Sequence, residues 1–308
     1  ACEHSTRNPD PAHRSSRKLR TMTPQPTDTQ ATGPKLGFFT RLLEDAPAAQ
    51  RYRFALEQIE TAEEFGFHSA WVAQHHFSAA EGGLPSPLVF LSHAAARTSR
   101  IDLGTAIITL PMENAVRVAE DAAVLDELSA GRLQIGLGSG GNPKSFPAFG
   151  TSFDDRREVF ADNLATLRTL FSGDRLPTDH SLYPVPDAER PSLERRLWQA
   201  TFSAGGAGAA GAAGDGLMLS RTQPRPQDNP AARLDEVQLP VIDTYLSQLP
   251  DGVEPRILAS RTAVVADAED LPRLREITEP ALRAGADRLV GYDTSGLRPA
   301  VLLYPTAS

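Results

Sequence analysis

From residue 35 onward, short apolar runs of strand character alternate seven times, without a break, with longer runs of helical period. "KLGFF" (35–39) precedes residues 48–67, where Phe54, Ile59, Ala62 and Phe65 recur at helical spacing and Gly66 stands at a C-cap. "SAWVAQHHF" (69–77) precedes 86–100, which opens on Ser86 and Pro87 at N-cap and N1. "IDLGTAIITLP" (101–111) precedes 114–131, capped by Asn114 and closed near Gly131. "RLQIGLGSGG" (132–141) then runs through a polar excursion with Pro143 and Pro147 into a helix at 154–173. A strand at 196–203, a small-residue run at 204–215 and a strand at 216–221 follow. A Pro-rich loop (222–236), a helix at 239–249, one strand at 256–267 and a helix at 269–285 complete the rhythm. Strand–helix alternation of this kind makes a parallel sheet, because each helix carries the chain back to the same end. Seven units suit a (β/α)8 TIM barrel better than an open sheet, which usually stops at about five or six strands.

Composition does not change between 35 and 308, so this stretch reads as a single α/β domain, and the 40% apolar share of the whole chain is enough for a sizeable core. Residues 1–34 are rich in Pro, Ser, Thr and charge and lack the apolar stretch of a secretory signal, so a disordered leader is expected, with Met22 as the natural start. The single cysteine, Cys2, rules out a disulfide framework and a Cys-based zinc site. A net charge of −8, with no Lys/Arg cluster in the body, argues against nucleic acid as the partner. No stretch approaches the ~18 apolar residues of a membrane span. A cytoplasmic protein acting on a small molecule is the expectation.

Four segments carry candidate chemistry. In "GLGSGG", Gly136, Gly138 and Gly141 match G-x-G-x-x-G, but the motif sits in the fourth unit and leads into a Pro-containing loop rather than a helix. A dinucleotide fold is therefore rejected. What remains is close approach of backbone to a ligand at Gly138, or a turn needing positive φ. Arg117 stands in the first turn of a helix, against the macrodipole, at a cost of ~0.3–1 kcal/mol. Either it faces an anion, or it pairs with Glu120 or Asp121, the slightly favoured reading. Residues 203–214 hold five glycines in a short helix whose start, with the Ser203 hydroxyl, suits a phosphate or tight packing. His75 and His76 end a strand without the spacing of metal ligands, so no metal site is read. An imidazole at the mouth suits proton transfer, whereas a hydrogen-bonded structural histidine is the commoner outcome for one taken alone.

Together, "WVAQHHF", "LGTAIITLP", "NAVRVAEDAAVLDELSAGRLQIGLGSGG" and "WQATFS…GAAGDGLMLS" resemble the bacterial-luciferase-like flavin monooxygenases over residues 35–266. The resemblance implies a barrel that binds reduced FMN at the C-terminal face, reacts it with O2 and dimerises through helices of its first half. Carried over, His75 matches the active-site histidine beside the flavin and His76 a second polar residue nearby. Thr105, Ala106 and Ile107 match the strand end that lies against the ring, joined by Gly138. Arg117, Ser203, Ala204 and Gly206 match phosphate-binding positions.

The resemblance also implies a separate flavin reductase, a homodimer and a small organic substrate. Two departures stand out. Gln74 replaces the Glu common before the histidines, and the eighth unit is truncated or incomplete, with 287–292 or 300–305 as its strand. The reading is a two-component monooxygenase with the 222–236 loop as a lid. Its rivals are a deazaflavin-dependent oxidoreductase on the same barrel and a non-catalytic, degenerate flavin binder.

Overall fold

The computed structural model describes residues 35–229, 232–266, 272–273, 276 and 301–305. The expected leader (1–34), most of the expected last helix (269–285) and the strand candidate at 287–292 lie outside the described residues. Seven strands form one continuous parallel ladder: β1 (Gly37–Thr40), β2 (Ser69–Val72), β3 (Asp102–Thr105), β5 (Leu133–Gly138), β6 (Leu197–Ala200), β7 (Gly216–Leu219) and β8 (Ile257–Ala259). The two-residue β4 (Ile108–Thr109) pairs with β5 beside this path. Six helices connect them: α1 (Ala48–Glu64), α2 (Pro87–Ala95), α3 (Ala115–Leu128), α4 (Arg156–Phe171), α5 (Ala204–Ala212) and α6 (Leu234–Gln248). β9 (Thr262–Ala266) and β10 (Val301–Pro305) form a separate parallel pair.

The sheet is rolled. Trp71 on β2 meets Trp198 on β6 at 5.4 Å between ring centroids, although β3 and β5 lie between them in the ladder. Only a curled sheet brings those side chains together, so the architecture is a (β/α) barrel. It is incomplete among the described residues, where no ladder joins β8 back to β1. Of the two candidates for an eighth strand, the second forms β10 over Val301–Pro305, but it pairs with β9 rather than closing on β1.

Apolar side chains on the outer face of the strands pack under the helices. Ile135, Leu137, Leu103 and Val72 join Ile59, Leu91, Ala119 and Leu125 in one cluster, while Leu217, Leu219, Val241 and Tyr245 form a second. Asp126 and Arg196, both nearly fully buried, close the first from below with contacts of 2.5 and 2.9 Å. The bidentate contact pairs the two buried charges through Nη1 and Nη2, while Nε of Arg196 is buried without a partner.

Several boundaries differ from the sequence reading. Phe65 is 75% exposed, because it occupies the C-cap of α1, where the helical stripe of Ala55, Leu56, Ile59 and Ala62 ends. The single strand expected at 256–267 is two: β7 stops at Leu219, so past Ser260 β8 has no neighbour to pair with. α6 begins five residues before the expected 239, with Pro240 inside it. The buried stripe of Leu234, Gln238, Val241 and Tyr245 and the Glu236 carboxylate accepting the Arg233 N–H at 3.0 Å sustain that extra turn. The 222–236 loop is shortened accordingly. The run 101–111 breaks between β3 and β4, where the Ala106–Ile107 peptide is cis.

Candidate active site

Register identifies which residues face the interior. Trp71 points inward and stands opposite Phe39 and Gly104; Trp198 stands opposite Gly136 and Gly216. Partners in a parallel ladder share a face, so these positions all look inward. The indoles fill the middle of the barrel, Trp71 Nε1 donating to Ser69 Oγ (2.8 Å) and Trp198 Nε1 to Gln134 Oε1 (2.9 Å). Each ring lies across a glycine of the next strand: a Cβ on Gly104 would overlap Trp71, and one on Gly216 would overlap Trp198.

One inward step toward the C-terminal ends come Ala73, Ala106, Gly138 and Ala200. These positions carry a methyl group or nothing, so they form a flat apolar floor above the tryptophans. Ala73 and Ala106 are held there by N–H bonds to Thr40 O (3.2 Å) and Val72 O (2.8 Å). At Gly138 a Cβ would stand 2.9 Å from Ile107 Cδ1, so the glycine lets the Ile107 side chain lie over the strand end.

The histidines are at the edge of this floor. β2 ends at Val72, so strand alternation no longer governs them; they belong to the loop that closes when the His75 N–H bonds Leu84 O at 2.9 Å. Gly82 lies flat against the His75 ring, where a Cβ would overlap Nδ1. His76 meets Phe149 edge-on at 4.7 Å. Nδ1 of His75 and Nε2 of His76 are buried and have no hydrogen-bond partner. Burial first, then the nearby Arg41 and His76, push the His75 pKa down to about 4. Burial also lowers that of His76. Both imidazoles are neutral at neutral pH, each with one ring nitrogen that no hydrogen bond uses, a state suited to holding or moving a proton.

Gln74, 7% exposed, anchors the loop from behind. Its amide donates to Glu113 Oε1 (2.6 Å) and Pro85 O (3.2 Å), and its Oε1 accepts the Thr109 N–H (2.7 Å). Glu113 is pushed above the usual carboxylate range by burial, against the lowering effect of that bond. A carboxyl group from 39 residues away thus lies against the Gln74 amide. No sequence signal marks this pairing.

The other expected residues divide. Ala106, Ile107 and Gly138 meet at the floor. Thr105 faces outward, fully buried, and its hydroxyl donates to Gly136 O (2.8 Å) and accepts the Gly136 N–H (2.9 Å), prolonging the β3–β5 ladder. Only its backbone borders the mouth. Ser203 is the N-cap of α5, its hydroxyl accepting the Gly206 N–H at 3.2 Å, with Ala204 in the open first turn. Arg117 is exposed on α3 and holds Glu120 and Asp121 at 2.6 Å each, the helix-surface pairing weighed in the sequence. Two residues beyond the sequence reading also reach the mouth: Arg41, whose guanidinium donates to Glu81 O, and Arg221, over the Phe39 ring.

A family model described as luciferase-like monooxygenase matches residues 35–270. Over 119 residues the chain is 39% identical to 4-hydroxyprotoasukamycin monooxygenase of Streptomyces nodosus subsp. asukaensis, a match that covers 39% of this chain and 32% of that protein. Over 202 residues it is 32% identical to an F420-dependent glucose-6-phosphate dehydrogenase of Kineococcus radiotolerans, covering 63% and 58% respectively. The chain thus spans about a third of the first relative and just over half of the second. Among solved structures, the oxygenating constituent of 3,6-diketocamphane monooxygenase from Pseudomonas putida, in complex with FMN, superposes with a TM-score of 0.65 over 85% of this chain and 80% of that one. At 16% identity, that likeness concerns the fold alone.

Proposed function

The chain belongs to the luciferase-like monooxygenase family, and from that membership we propose that it is a two-component monooxygenase using reduced FMN from a separate reductase, with O2 as co-substrate. The floor of Ala73, Ala106, Gly138 and Ala200 beside two neutral histidines carries this reading. Small side chains at these positions suit the approach of a planar ring system, and a side chain at Gly138 would displace Ile107, which packs over it.

At α5, the Ser203 hydroxyl and the first-turn N–H groups would hold the phosphate, where backbone donors and the helix dipole favour an anion. Bound reduced flavin would supply electrons to oxygen. The chain's own part is to seat the ring on the floor, keep water away and hold or move a proton at His75 Nδ1, which is buried without a partner. We assign His76, edge-on to Phe149, to shaping the same wall. A homodimer through α2 and α3 is part of the proposal, since Val89, Val124 and Leu128 are exposed there.

The test is an anaerobic titration with reduced FMN, a parallel one with reduced F420, and admission of O2 while spectra are followed. Tight FMN binding with substrate-dependent oxygen consumption supports the reading. Preference for F420 would replace it with a deazaflavin-dependent oxidoreductase, which the match to the glucose-6-phosphate dehydrogenase favours. Flavin binding without oxygen chemistry would make the protein a carrier. His75→Ala should lower turnover far more than flavin affinity; equal loss of both would remove its catalytic role. Light scattering of the eluted protein checks the dimer.

A further inference from the structure

The loop after β7 carries a cation without a counter-ion. The Arg221 guanidinium lies 5.7 Å from the centroid of Phe39, an inward residue of β1, and among the described residues it makes no hydrogen bond or ion pair. Among the described residues, every other arginine that is half-buried or more has an acceptor. Arg132 bonds five oxygens of the α2 end and the α3–β5 turn, and Arg196 grips Asp126. Arg256 bonds Leu197 O and Gly214 O, and Arg225 bonds Ala232 O and Gln223 O. Burial lowers the pKa of Arg221, and among the described residues no acidic group offsets it. A guanidinium offers five donors in a fixed fork, and leaving them unmatched in a partly desolvated place is costly.

The backbone beneath it is pinned. The Arg221 N–H donates to Ser260 Oγ (2.8 Å), Ser260 N–H to Leu219 O (2.9 Å), Thr222 N–H to Ser220 Oγ (3.2 Å), and Gln238 Nε2 to Ser220 O (2.9 Å). The guanidinium rests on an aromatic face, where cation–π attraction holds it in place without using its N–H groups. Donors that are fixed in advance, partly desolvated and unmatched make a recognition element for a bidentate oxyanion. Direction distinguishes its ligand from the flavin phosphate. α5 follows β6, on one side of β7, whereas the guanidinium lies over Phe39 of β1, beyond β8 on the other side. β1 adjoins β2, whose loop carries His75 and His76.

We propose that Arg221 is the specificity-determining residue of the mouth and that it pairs with a carboxylate of the organic substrate, so that the substrate is an organic acid anion presented to the histidine side of the floor. This rests on the monooxygenase reading only for what happens to the substrate; the anion preference is a property of the chain itself.

The test uses the protein without flavin and two probes of nearly equal shape, phenylacetate and phenylacetamide, with binding followed by calorimetry. The carboxylate should bind about tenfold more tightly than the amide, the range of a charge-assisted bidentate contact. That preference should vanish in Arg221→Gln and survive in part in Arg221→Lys. Because the side chain has no hydrogen bond to lose, the Gln variant should keep the thermal transition of the parent, which circular dichroism confirms. Equal binding of the two probes, or an undiminished preference in Arg221→Gln, overturns the proposal. The same variant is titrated with reduced FMN: unchanged affinity supports a substrate role, whereas collapse would give the guanidinium to the cofactor and end the proposal while leaving the monooxygenase reading intact. If neither FMN nor F420 binds the parent but the carboxylate preference holds, the monooxygenase reading fails and the anion site stands.

Discussion

Gln74 and Glu113 are joined by one short hydrogen bond, amide N–H to carboxylate at 2.6 Å, and the same amide's oxygen takes the backbone N–H of Thr109. One buried side chain thus ties the end of β2, β4 and the entry to α3 together behind the histidines.

Gln74→Glu would set two carboxyl groups in contact in this place. Like charges at that distance cannot both ionise, so the pair's pKa values rise and one proton is retained in the folded state. The folded protein then binds more protons than the unfolded chain above the ordinary carboxylate range, and stability falls as pH rises. A loss of ~1–3 kcal/mol at pH 7, regained toward pH 5, is expected from urea midpoints. A midpoint unchanged at both pH values would show that the contact is not maintained in solution.

His75 gives the opposite slope. Its folded pKa is lowered to about 4, below the ~6.5 of an unfolded histidine, so the unfolded chain takes up the proton first. The contribution is present above about pH 6.5 and is lost as pH falls toward the folded value, by up to ~3 kcal/mol. Glu113, Asp102 and Asp215, all raised by burial, act in the opposite sense at the acid end. The measurement is therefore a difference: parent minus His75→Gln midpoints across this range. A difference independent of pH would contradict the neutral, buried imidazole.

Gly104→Ala should strain the barrel interior, since the new methyl meets the ring of Trp71 rather than a flexible chain end. Overpacking of this kind costs about 1–3 kcal/mol. Calorimetry should show the lower transition, and tryptophan fluorescence should shift as Trp71 moves on Trp198. An unaltered spectrum and melting temperature would mean that the indole pair is not packed as described.

Arg117→Ala bears on the phosphate role that family resemblance assigns to it. With both its pairs on the exposed surface of α3, the variant should lose no more than ~0.5–1 kcal/mol of stability. The ratio of FMN to riboflavin affinity should stay as in the parent, while Ser203→Ala, which also removes the α5 cap, should reduce it. A ratio that collapses in Arg117→Ala would return the phosphate to Arg117.

The alternation of strands and helices was legible because period 2 and period 3.6 are local properties, written within about ten residues. The Asn114 cap and the helix ends at Gly66 and near Gly131 were legible for the same reason. The end of β8 and the start of α6 were not, since where a strand stops depends on whether its neighbour still runs beside it. Family resemblance set Thr105 at the strand end against the flavin, yet its side chain faces the helices, a matter of pleat and register.

Sequence alone therefore determined the order of the elements, the parallel sheet and the small and imidazole-bearing residues at its C-terminal ends. Tertiary structure alone decided that Ala73, Ala106, Gly138 and Ala200 share one floor, that Gln74 meets Glu113, and that Arg221 faces Phe39 without an acid to neutralise it. The reason is physical. Local conformation follows from a residue and its near neighbours, whereas a charge state, a contact or an unmatched donor is set by groups that only the rolled sheet brings together.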